Sequence, residues 1–250
     1  MEPYEYKTLF DFETSYWWFR GLHAILREVV QNLGLQTYAK ILDAGCGTGQ
    51  NLVSLSETGA CEPYGFDISQ HAASFWPKRN LRRACVSSIN QIPFKDSSFD
   101  AVVSVDVLEC EAVDELQAYS EMWRVLRPGG FLLLVVPAYQ WLFSEEHHKA
   151  VGATRRYSKE RVKELLRQRP VKLIRMTHLF AGVFPLVAAY RLSQPLLKQE
   201  VSEAPRSEIK PLPKLLNEAL FNMVNAERFL LRKFDLPFGS SILAVARKAD

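Results

Sequence analysis

"ILDAGCGTGQN", Ile41 to Asn51, sets three glycines within five positions directly behind a short apolar run. A strand that breaks into such a loop and re-forms as a helix is the entry to a nucleotide site in doubly wound α/β proteins. The glycine order is Gly45-Cys46-Gly47-Thr48-Gly49, tighter than the GxGxxG of a dinucleotide loop, and Asp43 stands immediately before it. An acid at the mouth of the loop repels a pyrophosphate and suits a ligand that carries an ammonium group.

Working outward, Lys40 to Pro137 alternates β-branched apolar runs with longer mixed segments, as a parallel sheet with crossover helices does. Strands are predicted at Lys40–Ala44, Pro63–Asp67, Ala84–Ser87, Ala101–Val105 and Phe131–Val136, with two more at Val171–Thr177 and Ile242–Ala246. "RPGG", Arg127 to Gly130, reads as punctuation between a helix and the next strand. Apolar residues at Leu215, Leu216, Ala219, Leu220, Met223, Val224, Phe229 and Leu230 recur at helical spacing and predict an inserted helical unit. Lys198 to Pro213 reads as an exposed linker.

The totals bound the function. Thirty-one basic residues against 28 acidic ones leave a net charge of +3, too even for a nucleic-acid footprint. Cys46, Cys61, Cys85 and Cys110 show no CxxC pair or zinc spacing, so no metal and no disulfide framework is expected, and a cytoplasmic location fits. The N-terminal stretch lacks a signal-peptide layout. The longest uncharged apolar run, Leu179 to Tyr190, is shorter than the roughly 20 residues a bilayer span needs, which leaves peripheral membrane contact open.

The second strand ends in "GFDIS", which puts Asp67 about 20 residues past the loop, where a carboxylate meets ribose hydroxyls. An acid for an ammonium group and an acid for a ribose, without a phosphate cradle, point to S-adenosylmethionine. "LDAGCGTG", "GFDIS", "QIPFKDSSFDAVVSVDVLE" and "RVLRPGGFLLLVVP" together resemble the class I S-adenosylmethionine-dependent methyltransferases over Lys40 to Pro137. The flanks "YWWFRG", "VPAYQWLFSEEHHKAVGATRRYS", "HLFAGVFP" and "LPFGSSILAVARK" are similar to one bacterial subgroup of that family, whose substrates are largely unassigned.

The resemblance implies an α/β, Rossmann-like fold with a mostly parallel seven-stranded sheet. Segments 1–39 form a helical cover, 40–137 the cofactor core, 138–177 the acceptor side, 178–239 a helical insertion and 240–250 the last strand. It implies that Asp43, Gly45, Cys46, Gly47 and Gly49 surround the methionine moiety, that Asp67 binds the ribose, and that Ile68, Ser88 and Ile89 flank the adenine. Val105 and Leu108, at the end of the fourth strand, complete the cofactor contacts. Arg20 is expected near the methionine carboxylate, and Tyr16 and Trp17 near the acceptor, the competing reading being that these aromatics are core anchors.

Methyl transfer to O, N or C needs an aligned acceptor and, for most acceptors, a proton acceptor. "SEEHHKAVGATRRYS" offers His147, His148 and Tyr157 as catalytic candidates and Arg155 and Arg156 as anchors for an anionic acceptor, against a bland reading as a polar surface loop. Cys110, His147, His148 and Ala153 depart from the subgroup pattern. The expected function is therefore methylation of a small molecule, such as a sugar, lipid or specialised metabolite, by a monomer or homodimer that does not bind nucleic acid. The alternative is a protein that binds S-adenosylmethionine but catalyses cyclisation or isomerisation, or serves as a scaffold. A nicotinamide oxidoreductase is disfavoured by the glycine spacing and Asp43.

Overall fold

The computed structural model describes residues 1–59, 61–143, 149–193 and 209–249. Seven strands form one sheet: β1 Ala39–Ala44, β2 Cys61–Asp67, β3 Ala84–Val86, β4 Phe99–Val105, β5 Leu126–Pro137, β6 Val171–Leu179 and β7 Ser241–Lys248. Their order is β3-β2-β1-β4-β5-β7-β6, parallel throughout except for β7, which runs antiparallel to both neighbours. The chain reverses its direction of growth between β1 and β4, and the crevice beyond the carboxyl ends of these two strands is where such sheets bind ligands.

Alternation along the central strands builds two cores. On β4, Val102 joins Leu42, Leu132, Tyr119 and Met122 on one face, while Ala101 and Val103 join Ile41, Leu133 and Val135 on the other. The first face is covered by α5 (Glu115–Val125), which Asp114 caps by accepting from the amides of Leu116 and Gln117. The second is covered by α2 (Trp17–Gln31), whose Leu22, Ile25, Leu26 and Val30 repeat at helical spacing.

β5 begins earlier than its apolar run. Leu126 pairs with Phe99 and Phe131 with Ala101, so Arg127 to Gly130 bulge within the strand rather than separating helix from strand. The insertion between β6 and β7 contains α7 (Phe184–Ser193) and α8 (Lys214–Leu231). α8 lies against α2, and Gly21 permits the approach: a Cβ there would stand 2.5 Å from Val224 Cγ1. Val224, Glu227 and Leu231 form its buried face, whereas Leu215, Met223 and Phe229 remain exposed. Glu227 accepts from the amides of Phe180 and Gly182 and so pins "FAGVFP" to α8. Most of the expected linker, 198–208, lies outside the described residues. Among the described residues no helix is long and apolar enough to cross a membrane.

Candidate functional site

The loop from β1 into α3 (Gln50–Ser56) is built from backbone that L side chains resist. Gly45, Gly47 and Gly49 have φ of 89°, 52° and 92°. The amides of Gly45 and Cys46 donate to Phe66 O at 3.0 and 2.8 Å, and Trp76 Nε1 donates to Gly47 O at 2.9 Å. A Cβ at Gly45 would lie 2.4 Å from Val107 Cγ2, and Val107 is β-branched and stiff. Gly45→Ala is therefore expected to cost about 2 kcal/mol or more in urea unfolding, from left-handed strain plus the clash. Unchanged stability would show that the loop can relax around the methyl group.

Asp67 closes the loop from β2. Its Oδ2 accepts from Gly47 N and its Oδ1 from Ser69 N, both at 2.9 Å, and it remains 9% exposed. Burial raises its pKa, and these two amides oppose the rise. Each oxygen thus keeps acceptor capacity for a hydroxyl. Asp43 is fully buried, and neither of its oxygens meets a donor at normal geometry among the described residues. Burial pushes its pKa up to about 7; the Asn51 side chain pulls it down, while Asp67 and Glu13 add to the rise. An orphaned buried carboxylate facing a second one fits a ligand that brings a cation.

The raised pKa has a sign. The folded chain keeps the Asp43 proton up to about pH 7, whereas an unfolded aspartate releases it near pH 3.9, so rising pH erodes stability across that interval. Asp43→Asn is expected to flatten the decline in unfolding midpoint between pH 5 and pH 8. An equally steep decline in the variant would contradict this assignment.

The adenine and fourth-strand candidates divide. Ile68 is exposed beside Asp67, and the Ser88 hydroxyl accepts from Asn90 N, whereas the side chains of Ile89 and Leu108 belong to the hydrophobic core. Val105 packs against the opposite core.

Several candidates are committed elsewhere. Arg20 pairs with Glu218 at 2.6 and 3.2 Å and stacks on Phe221 at 3.8 Å, so its guanidinium serves the α2–α8 contact rather than a ligand carboxylate. Trp17 is buried edge-on to Phe180, and Tyr16 sits among Phe12, Trp17 and Phe19, the core-anchor arrangement. Arg155 donates to the carbonyls of Cys110 and Val113, and Arg156 to those of Ala138 and Ser240. Both arginines staple the acceptor-side segment to backbone carbonyls, Arg155 through Nη2 alone, while its buried Nε meets no acceptor among the described residues. Tyr157 lies inside the core, and burial drives its hydroxyl pKa well up, which disqualifies it as a base at neutral pH. Its amide donates to Pro137 O. His147 and His148 lie outside the described residues. Burial likewise raises the Cys46 thiol, leaving it an inert part of the loop.

Sequence reasoning passed over two groups. Asp106, in left-handed backbone at φ 50°, and Glu109 follow β4 directly, and each has a buried carboxylate oxygen without a donor among the described residues. Burial raises both, Glu109 most, with the Asp106 charge adding to the rise at Glu109; Arg156 opposes it at both and Arg155 at Glu109. Their three-residue spacing at a strand's carboxyl end was the available signal. The second group is aromatic: Tyr139 stacks on His178 and meets Trp141 and Phe184, which in turn meets Phe238. Trp141 is 51% exposed, so this cluster has an open side. The helical segment expected over 1–39 begins with α1 (Pro3–Phe12), which lies against the glycine loop with Leu9 beside Gly47 and Tyr6 beside Asp67 and Ser69. Among the described residues no cluster of His, Cys, Asp or Glu is arranged to hold a metal.

Residues 42–134 match the family model of a methyltransferase domain. The sterol 24-C-methyltransferase of Schizosaccharomyces pombe is 28% identical over 126 residues, 48% of this chain and 32% of that protein. A probable S-adenosylmethionine-dependent methyltransferase of Mycolicibacterium smegmatis is 32% identical over 130 residues, 50% of this chain and 47% of that protein. The chain thus spans about a third to a half of the length of the curated relatives it matches. Among solved structures, a putative methyltransferase in complex with a Haloferax volcanii methyltransferase activator shares the fold, with a TM-score of 0.63 at 18% identity over 98% of this chain and 94% of that one.

Proposed function

We propose that this chain, which has the class I S-adenosylmethionine-dependent methyltransferase fold, binds S-adenosylmethionine at Gly45–Gly49 and Asp67 and methylates a small apolar molecule. The observation that carries the reading is the pair of acids at the loop: Asp67 oriented by two backbone amides, and Asp43 fully buried with no donor at normal hydrogen-bond geometry among the described residues, the Asn51 side chain alone pulling its pKa down. The cofactor supplies a methyl group on a sulfonium, and the chain supplies position and a path for a proton.

In this reading Asp67 accepts the ribose hydroxyls, the open backbone of Gly45, Gly47 and Gly49 admits the amino-acid tail, and Asp43, protonated in the empty chain up to about pH 7, ionises when the ligand's ammonium arrives to favour its charged form. Ile68 and Ser88 border the adenine. On the acceptor side the Asp106–Glu109 pair can take up a proton, because two adjacent buried carboxyls do not both ionise readily. Tyr139, Trp141, Phe184 and Phe238 offer an apolar wall that excludes water from the reacting atoms. His178, stacked on Tyr139, has its pKa lowered by burial and stays neutral, so it adds no charge to that wall. An apolar acceptor is also in keeping with the sterol in the name of the Schizosaccharomyces pombe relative, which is 28% identical over 48% of this chain.

The test is an incubation with methyl-labelled S-adenosylmethionine and two acceptor panels, sterol and isoprenoid lipids against hydrophilic amines and phenols. Label is expected in the lipid extract, with S-adenosylhomocysteine released in equal amount. Label only in hydrophilic products would overturn the apolar assignment. Cofactor binding with no label transferred, while an acceptor isomer accumulates, would favour a cyclase or isomerase on the same scaffold.

A further inference from the structure

The side chain that ties α1 to the glycine loop has no part in the chemistry above. Glu13, just past the end of α1, is 4% exposed, pairs with Arg79 and accepts the hydroxyl of Thr48, the residue between Gly47 and Gly49. Arg79 is equally enclosed on its side of the pair and lies against the Phe10 ring, and Phe10 stacks on Phe75 at 4.7 Å. Further along the same helix, a Cβ on Gly47 would meet Leu9 Cδ2 at 3.4 Å, and Tyr6 covers Asp67 and Ser69. α1 therefore lies across the outer faces of the two groups to which the cofactor is assigned.

We propose that Glu13 is a positioning residue that latches α1 onto the glycine loop through Arg79 and Thr48, and that release of this latch gates the entry and exit of S-adenosylmethionine and its product. The inference rests on the cofactor reading given above. Its physical basis is that one buried carboxylate oxygen accepts from Arg79 Nη2, in the segment after β2, and from a hydroxyl of the loop itself. Loss of its charge leaves Arg79 enclosed without a counter-ion, and the lowest-cost relief is for the helix end to lift and let water in. The Leu9 side chain and the Phe10–Phe75 stack add apolar packing, Tyr6 adds a hydrogen bond with Ser69, and Glu5 is a second enclosed acid on α1, so Glu13 is distinguished by its reach to the loop itself through Thr48.

A latch affects both directions of exchange, whereas a residue that merely holds the bound ligand affects only departure. Stopped-flow fluorescence with S-adenosylhomocysteine separates the two, since Trp76 donates its indole N–H to Gly47 O and reports on the loop. For Glu13→Gln, which preserves shape and an acceptor for Thr48, association and dissociation are both expected to quicken about tenfold or more while Kd moves by less than about threefold. The double variant Glu13→Gln/Arg79→Met leaves no unpaired buried charge and is expected to show the same acceleration with wild-type unfolding behaviour. Lys7→Ala, on the exposed side of α1, is expected to leave both rates unchanged. Unchanged rates in both Glu13 variants, or faster dissociation with unaltered association, would overturn the latch while leaving the cofactor site intact. Failure of the wild-type chain to bind S-adenosylhomocysteine would overturn the cofactor reading and the latch with it.

Discussion

Asp67→Ala is expected to weaken S-adenosylhomocysteine binding about 100-fold or more, read by calorimetric titration, while the unfolding midpoint changes little. The argument has two parts. The carboxylate would hold two ribose hydroxyls, and a hydrogen bond to a charged group contributes about 1.5–3 kcal/mol. Two such bonds amount to at least about 3 kcal/mol, which is roughly two decades in Kd. The same carboxylate also orders the loop through Gly47 N and Ser69 N, so its loss misplaces the amino-acid end of the ligand as well. Stability is spared because the buried charge is itself unfavourable in the empty protein: its pKa is raised by burial, and removing it relieves that penalty. Asp67→Asn keeps the shape and one acceptor, so its loss should be smaller, near tenfold. An Asp67→Ala protein that binds as tightly as wild type would place the ribose elsewhere.

Glu109→Gln is expected to lower the rate of methyl transfer by about 100-fold or more while leaving S-adenosylhomocysteine affinity within about twofold of wild type. A positioned proton acceptor contributes about 10²–10⁴-fold. Glutamine has the size of glutamate but cannot take the proton. Arg155 and Arg156 keep their bonds to the carbonyls of Cys110, Val113, Ala138 and Ser240 when the charge goes, which holds the segment in place. The pH dependence provides a second readout. Burial and the neighbouring Asp106 hold Glu109 protonated to higher pH than an ordinary glutamate. The wild-type rate should therefore climb with pH as the pair gives up its shared proton, and the variant should lose that climb. A variant with unaltered turnover and pH profile would assign the proton transfer to another group.

These two residues differ in how much of their role the sequence carries. Asp67 is readable as a ribose candidate because its neighbours in space are near it in sequence: the short strand PYGFD that ends on it, a glycine loop about 20 residues earlier, and a Ser69 cap that follows at once. The same local logic exposes the central strands, where alternation and flanking glycines coincide with the cores built from Leu42, Val102 and Leu132. It falters at β5, because a bulge at Arg127–Gly130 has the composition of a turn. It fails for Arg20, whose charge suggests a ligand until Glu218 and Phe221 arrive from almost 200 residues away. Arg155 and Arg156 mislead in the same way, since a guanidinium that donates to carbonyls leaves no trace in the pattern of side chains. Glu109 and Glu13 carry no signal in the sequence that sets them apart from other acids, since their burial depends on distant segments, and the contacts of Leu9 and Tyr6 with the glycine loop are likewise set by tertiary packing.

The claim on which the rest depends is that the loop at Gly45–Gly49 and Asp67 takes an amino-acid-tailed nucleoside rather than a dinucleotide. Parallel calorimetric titrations of the purified chain with S-adenosylhomocysteine and with NAD measure this directly. Saturable one-to-one binding of S-adenosylhomocysteine, with no binding of NAD, is the expected result. Binding of NAD, or no heat with S-adenosylhomocysteine, would contradict it.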